Sequence, residues 1–104
     1  MVIKKTITDV EAKAGAFCAG TAYYDDNIGE LAIKIKGKWD VDNIVGLVWS
    51  ARDGNSPSGY MVDYNSNTDI TSIIFIGASS GMVINYQFFL LYKTSHLETG
   101  INKV

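Results

Sequence analysis

The chain has 104 residues, 47% of them hydrophobic and 12% aromatic, with a formal net charge of −2 and a single cysteine, Cys18. That length and apolar content suit one domain with its own core, and one cysteine excludes an internal disulfide. The acidic balance lacks the basic footprint of a nucleic-acid-binding domain, and no apolar run is long enough to cross a membrane as a helix.

Ten glycines and one proline punctuate a series of short apolar runs. Val2 to Val10 reads as a first strand, with Ile3, Thr6 and Val10 as core contacts, followed by a break at Glu11 to Gly15. Ala16 to Tyr24 reads as a second strand that ends at the polar turn Asp25-Asp26-Asn27. Gly29 to Trp39 alternates: Leu31, Ile33 and Ile35 take one face, in phase with Trp39, and Lys34, Lys36 and Lys38 the other, as a solvated stripe.

Asp40 to Asn43 is a second polar turn. Ile44 to Ser50 is apolar on both faces and is expected to be a central strand covered on both sides, with Gly46 marking either a bulge or a close approach by another backbone. Ala51 to Gly59 carries Asp53-Gly54-Asn55 and Pro57 and reads as a loop. Tyr60 to Tyr64 is a short strand and Asn65 to Asp69 a loop. Ile70 to Ile76 and Met82 to Lys93 then flank the small-residue turn Gly77 to Gly81, a strand–turn–strand signature expected to close the fold as a hairpin. Ser95 to Val104 is a polar tail. About eight short strands without a sustained helical period predict an all-β sandwich or barrel. Either chain end, the 1–10 strand in particular, is suited to act as an arm on a neighbouring subunit's sheet.

The segment Ile70-Thr71-Ser72-Ile73-Ile74-Phe75, the Gly/Ala/Ser turn and Phe89-Leu90-Leu91-Tyr92 together resemble the closing hairpin of β-sandwich domains in tailed-bacteriophage virion proteins. Tyr60 and Tyr64 stand where that family places an aromatic before the hairpin. The resemblance implies a jelly-roll-like antiparallel β-sandwich that serves as a virion structural, decoration or receptor-contacting module, commonly a homo-oligomer, with no catalytic residues. A second similarity, in Val45 to Tyr64, is to the strand–DGN–strand element of actinoporin-like sandwiches, a fold of some pore-forming toxins and fungal lectins. Those proteins carry an amphipathic N-terminal helix, and Val2 to Val10 does not have that pattern.

No residue constellation recommends an enzyme. Cys18 lies in an apolar run and reads as a buried structural thiol, since the only base to activate it would be His96. Asp25, Asp26 and Asn27, and likewise Asp40, Asp42 and Asn43, offer hard oxygen ligands suited to calcium, but neither set has EF-hand spacing and both read as turns. Glu30 with Asp53 or Asp63 has the residue types of a glycosidase pair and reads as surface charge. Gly77 to Gly81 lacks the lysine and helix of a phosphate-binding loop.

The loop-flanking aromatics and their polar neighbours, Tyr23, Tyr24, Tyr60, Asp63, Tyr64 and Asn65, are the candidate binding residues, for a subunit interface or a glycan. The expectation is therefore a non-enzymatic bacteriophage virion structural protein without cofactor or metal. It would be made in the host cytoplasm and placed in the virion, with other copies of itself and other virion proteins as partners. The alternative is a small lectin that binds a host-surface glycan through Tyr60, Asp63, Tyr64 and Asn65.

Overall fold

Parity along each strand decides which side chains meet. In Val83–Leu90 the even positions Ile84, Tyr86, Phe88 and Leu90 are buried, while Asn85, Gln87 and Phe89 are exposed. The same sorting recurs through the computed structural model, which describes residues 6–7, 16–52 and 54–91. These form a two-residue segment β1 (Thr6–Ile7) and six longer strands. The six are β2 (Ala16–Tyr23), β3 (Ala32–Lys36), β4 (Ile44–Ala51), β5 (Gly59–Asn65), β6 (Ile70–Ile76) and β7 (Val83–Leu90). A 3-10 turn, Val41–Asn43, precedes β4, and there is no α-helix among the described residues.

The fold is all-β, with two sheets. One has the order β1-β3-β6-β5 and the other β2-β7-β4. Every pairing between the six longer strands is antiparallel, and β1 runs parallel to β3. Cys18, Ala22, Ile44, Ile84, Phe88 and Leu90 from the three-stranded sheet share one hydrophobic cluster with Ile33, Ile35, Ile73 and Phe75 from the four-stranded sheet. Each fully buried side chain of this kind contributes about 1.5–3 kcal/mol relative to exposure. At one side the edge strands β4 and β5 are tied by aromatic packing. Trp49 meets Tyr60 edge-on, with ring centroids 6.0 Å apart, and Phe75 at 5.0 Å.

Several expectations are refined or corrected. The described residues give seven strand segments, one only two residues long, against the eight expected. Of the predicted first strand only Thr6–Ile7 is described, and the break at Glu11 to Gly15, His96 and the 95–104 tail lie outside the described residues. The alternating strand spans Ala32–Lys36 rather than reaching Trp39. Trp39 still packs on the core, but it is positioned by the turn that follows, where its Nε1–H donates to the Lys36 carbonyl.

The closing hairpin is not formed. Strands β6 and β7 lie in different sheets, so residues 77–82 carry the chain from one layer to the other instead of turning back alongside it. Both strands are strongly apolar on one face, and the crossing lets both faces reach the same core. In this arrangement β6 pairs with β3 and β5, and β7 with β2 and β4.

Nor is β4 a central strand. Among the described residues it is an edge, with Val45 and Val48 exposed. A bulge, one of the two features anticipated at Gly46, resets its alternation. The register with β7 shifts between Val45 and Val48, and Gly46 has φ 69°, a conformation that suits glycine. The extra residue turns Leu47 and Trp49 toward the core and leaves Val45, Val48 and Ser50 on the opposite face.

Candidate interaction surfaces

The six residues singled out in the sequence do not form one site. Tyr23 ends β2 opposite Val83, and Tyr24 follows it, half-buried against the core, with its backbone N–H donating to the Met82 carbonyl. The other four belong to β5, on the other sheet. Tyr60 packs inward against Trp49 and Phe75. Tyr64 is half-buried, donates its hydroxyl proton to Asp69 Oδ1 at 2.7 Å, and lies beneath the Lys38 ammonium, which sits 5.7 Å from the ring centroid. Asp63 and Asn65 are exposed, and the Asn65 side chain accepts from the Asn67 backbone N–H within the β5–β6 turn.

The Asp/Asn turns hold themselves together. Asp25 Oδ1 accepts from the Asn27 N–H at 2.9 Å, and the backbones of Asp25 and Glu30 bridge the turn. At Asp40 to Asn43, the Asn43 side-chain oxygen accepts from the Asp40 N–H. Among the described residues, no three His, Cys, Asp or Glu side chains are gathered as a metal site.

The outer faces of the two sheets differ in charge. On the four-stranded sheet the register sets Asp63, Ser72 and Lys34 in one row and Asn65, Ile70 and Lys36 in the next. Lys34 Nζ donates to Ser72 Oγ at 3.0 Å and lies 3.7 Å from Glu30 Oε2. A shallow groove of about 310 Å³ runs here, lined by Lys34, Asn65, Thr68, Ile70 and Ser72. The remaining rows of this face are apolar: Met61 pairs with Ile74 and Gly59 with Ile76, and Met61 is 51% and Ile76 48% exposed, so charge occupies one half of the face.

On the three-stranded sheet, three rows cross all the strands: Phe17–Phe89–Val45, Ala19–Gln87–Val48 and Thr21–Asn85–Ser50. None of these nine residues carries a formal charge. Phe17 is 54% exposed, Val48 53%, Phe89 46% and Val45 40%, and the two phenylalanine rings pack together with centroids 5.0 Å apart. The polar row is ordered by a 2.8 Å hydrogen bond from the Thr21 hydroxyl to Asn85 Oδ1. Exposed apolar side chains are ordinary singly, but a contiguous aromatic and aliphatic group with a polar margin has the composition of a contact surface.

The sequence reading passed over this face. Phe88-Phe89 sits within an unbroken apolar run, and Val45 and Val48 lie in a strand read as buried on both sides. Parity within β7 carries the missing signal, since Phe89 falls in step with the polar Asn85 and Gln87, whereas Phe88 falls in step with Ile84 and Leu90.

The chain matches no protein-family model, no curated protein sequence and no solved structure.

Proposed function

We propose that this chain is a non-enzymatic structural module that works by burying the outer face of its three-stranded sheet against another protein subunit, and that its setting is a bacteriophage particle. The observation that carries the reading is the uncharged surface of the Phe17–Phe89–Val45 and Ala19–Gln87–Val48 rows, whose four large apolar side chains are 40–54% exposed. Burying charged groups is costly unless they are paired, so a face without them is the cheaper one to remove from water. The phage setting rests on the resemblance of Ile70 to Tyr92 to the last strands of virion β-sandwich domains.

The jelly-roll form of the sandwich is part of the same proposal. A jelly roll folds a long antiparallel hairpin over itself, so its strand pairs nest and successive strands alternate between two sheets. Support comes from the nested pairs β2 with β7 and β3 with β6, from the place of β4 beside β7, and from the crossing between β6 and β7. The departure is β5 and β6, successive strands that pair within the four-stranded sheet.

The test is whether the chain is found, at a stoichiometric copy number, in purified particles from a producing culture by quantitative mass spectrometry. Presence in fixed ratio to a major particle protein supports the reading. Absence from particles, together with saturable binding on a glycan array, would replace it with the lectin alternative.

A further inference from the structure

We infer that the occupant of the exposed three-stranded face is a second copy of this chain, packed face to face about a twofold axis parallel to β7. This rests on the interface reading above and names its partner. Three observations lead to it.

The first is charge. Removing a charge from water is costly unless it is well paired, and a copy that docks on the central rows of this face buries none. The central rows of this face, Phe17–Phe89–Val45, Ala19–Gln87–Val48 and Thr21–Asn85–Ser50, contain no ionised side chain. The outer face of the other sheet carries Asp63, Lys34 and Lys36 beside the apolar Met61, Ile74 and Ile76, so docking there would bury charge as well.

The second is the order of the rows. Apolar residues occupy one end of the face and polar residues the other. Two such faces stack apolar on apolar along their whole length only when the strands of the two copies point the same way. A twofold axis running along the central strand satisfies this. It sets Phe89 against Phe89 of the copy, Gln87 against Gln87 and Asn85 against Asn85. It also exchanges the flanking strands, so the large Phe17 meets the smaller Val45, small Ala19 meets Val48, and the Thr21 hydroxyl meets that of Ser50. Side-chain amides carry both donors and acceptors and can pair with themselves. The aligned packing usual for stacked sheets, with strands about 30° apart, keeps these rows in contact.

The third is area. Four half-exposed apolar side chains, with exposed Ala19, Gln87, Asn85 and Ser50 around them, offer on the order of 600 Å² a side, against about 800 Å² per partner in a standard interface. That places the contact at the small end of specific interfaces, the range of weak and reversible association.

The experiment is sedimentation equilibrium of the full chain from low micromolar to high micromolar concentration, with variants and site-directed cross-linking. A reversible dimer is expected. Phe89→Lys and Val48→Lys should each raise its dissociation constant at least a hundredfold while leaving the circular dichroism spectrum unchanged. Gln87→Cys, on the axis, should be joined to its own copy by a short bismaleimide. Asp63→Cys, on the exposed face of the other sheet, should not, and Cys18 is buried and will not compete. A monomer at every concentration overturns the proposal, as does a dimer that neither lysine variant weakens or one that cross-links through Asp63→Cys. If the chain is monomeric yet stoichiometric in particles, self-docking fails while the structural function stands. If it dimerises but is absent from particles, the reverse holds.

Discussion

Gly20 and Tyr86 face each other across β2 and β7, and the glycine leaves the space that the tyrosine side chain fills. A Cβ added at Gly20 would stand 2.9 Å from the Tyr86 hydroxyl oxygen and 3.2 Å from the ring carbon that bears it. The ring is buried and stacks on Phe88 at 5.9 Å, so it has little room to yield. Gly20→Ala should therefore destabilise the fold by about 1–3 kcal/mol, in the range of overpacking substitutions, even though alanine has the better strand propensity. Urea denaturation checks this. In a Tyr86→Phe background the nearest clashing atom is gone, so the same substitution should cost measurably less, and a double-mutant cycle would register the coupling.

Asn43 is the polar residue on which the other end of the three-stranded sheet depends. It is almost completely buried, its side-chain amide donates to the Leu91 carbonyl at 2.8 Å, and its own carbonyl accepts from the Leu91 N–H at 2.9 Å. The side-chain oxygen also accepts from the Asp40 N–H. Asn43→Leu keeps much of the volume but leaves two backbone groups without their partner, a loss of about 1–3 kcal/mol for each group that stays out of reach of water. The expected result is a lowered urea midpoint with an unchanged slope, and faster amide exchange at Asp40.

The two layers were legible in the sequence where a strand keeps strict alternation. Val83–Leu90 can be read as a one-sided strand from parity, and the bulge from Gly46, whereas Ile70–Ile76 carries isoleucine on both faces and cannot be sorted this way. What was not legible was which strands pair. Ile70–Ile76 and Val83–Leu90 look like a hairpin because a short run of Gly, Ala and Ser joins them, and local composition does not distinguish a turn within a sheet from a crossing between sheets. The choice is made by partners distant in the chain, β3 for β6 and β2 for β7, which local signals do not register. The same limit hid the contact face. Val45 and Val48 are apolar whether they face a core or water, and among the described residues no layer covers this side of the sheet. The tyrosines misled for the opposite reason: loop-flanking Tyr60 and Tyr64 are drawn inward by Trp49 and by Asp69.

Thr71 anchors the turn that follows β3. Its side chain is fully buried, its oxygen accepts from the Trp39 N–H at 2.9 Å, and its hydroxyl proton goes to the Gly37 carbonyl. Thr71→Val preserves the shape and strand propensity but removes both bonds. The expected cost is about 1–3 kcal/mol, and because Trp39 is held by this turn, its fluorescence should shift to longer wavelength in the variant. An unchanged emission maximum and urea midpoint would show that water replaces both bonds without loss.

Tyr64 links stability to alkaline pH. The hydrogen bond to Asp69 holds its phenol above the ordinary tyrosine value, and partial burial and the Asp69 charge act in the same direction. All three favour the neutral phenol, so the sign is fixed. The stabilisation is fully present below the unfolded phenol value of about 10 and is lost as the pH rises through the raised folded value. Asp69 itself has φ 57°, which asparagine also tolerates, so Asp69→Asn should keep the backbone while removing the charge. Near-ultraviolet phenolate titration of the wild type against Tyr64→Phe should isolate a component above the usual tyrosine range. In Asp69→Asn that component should move down toward it, and the decline of stability at high pH should become shallower. A component that stays in place after the substitution would mean that burial, and not Asp69, sets the value.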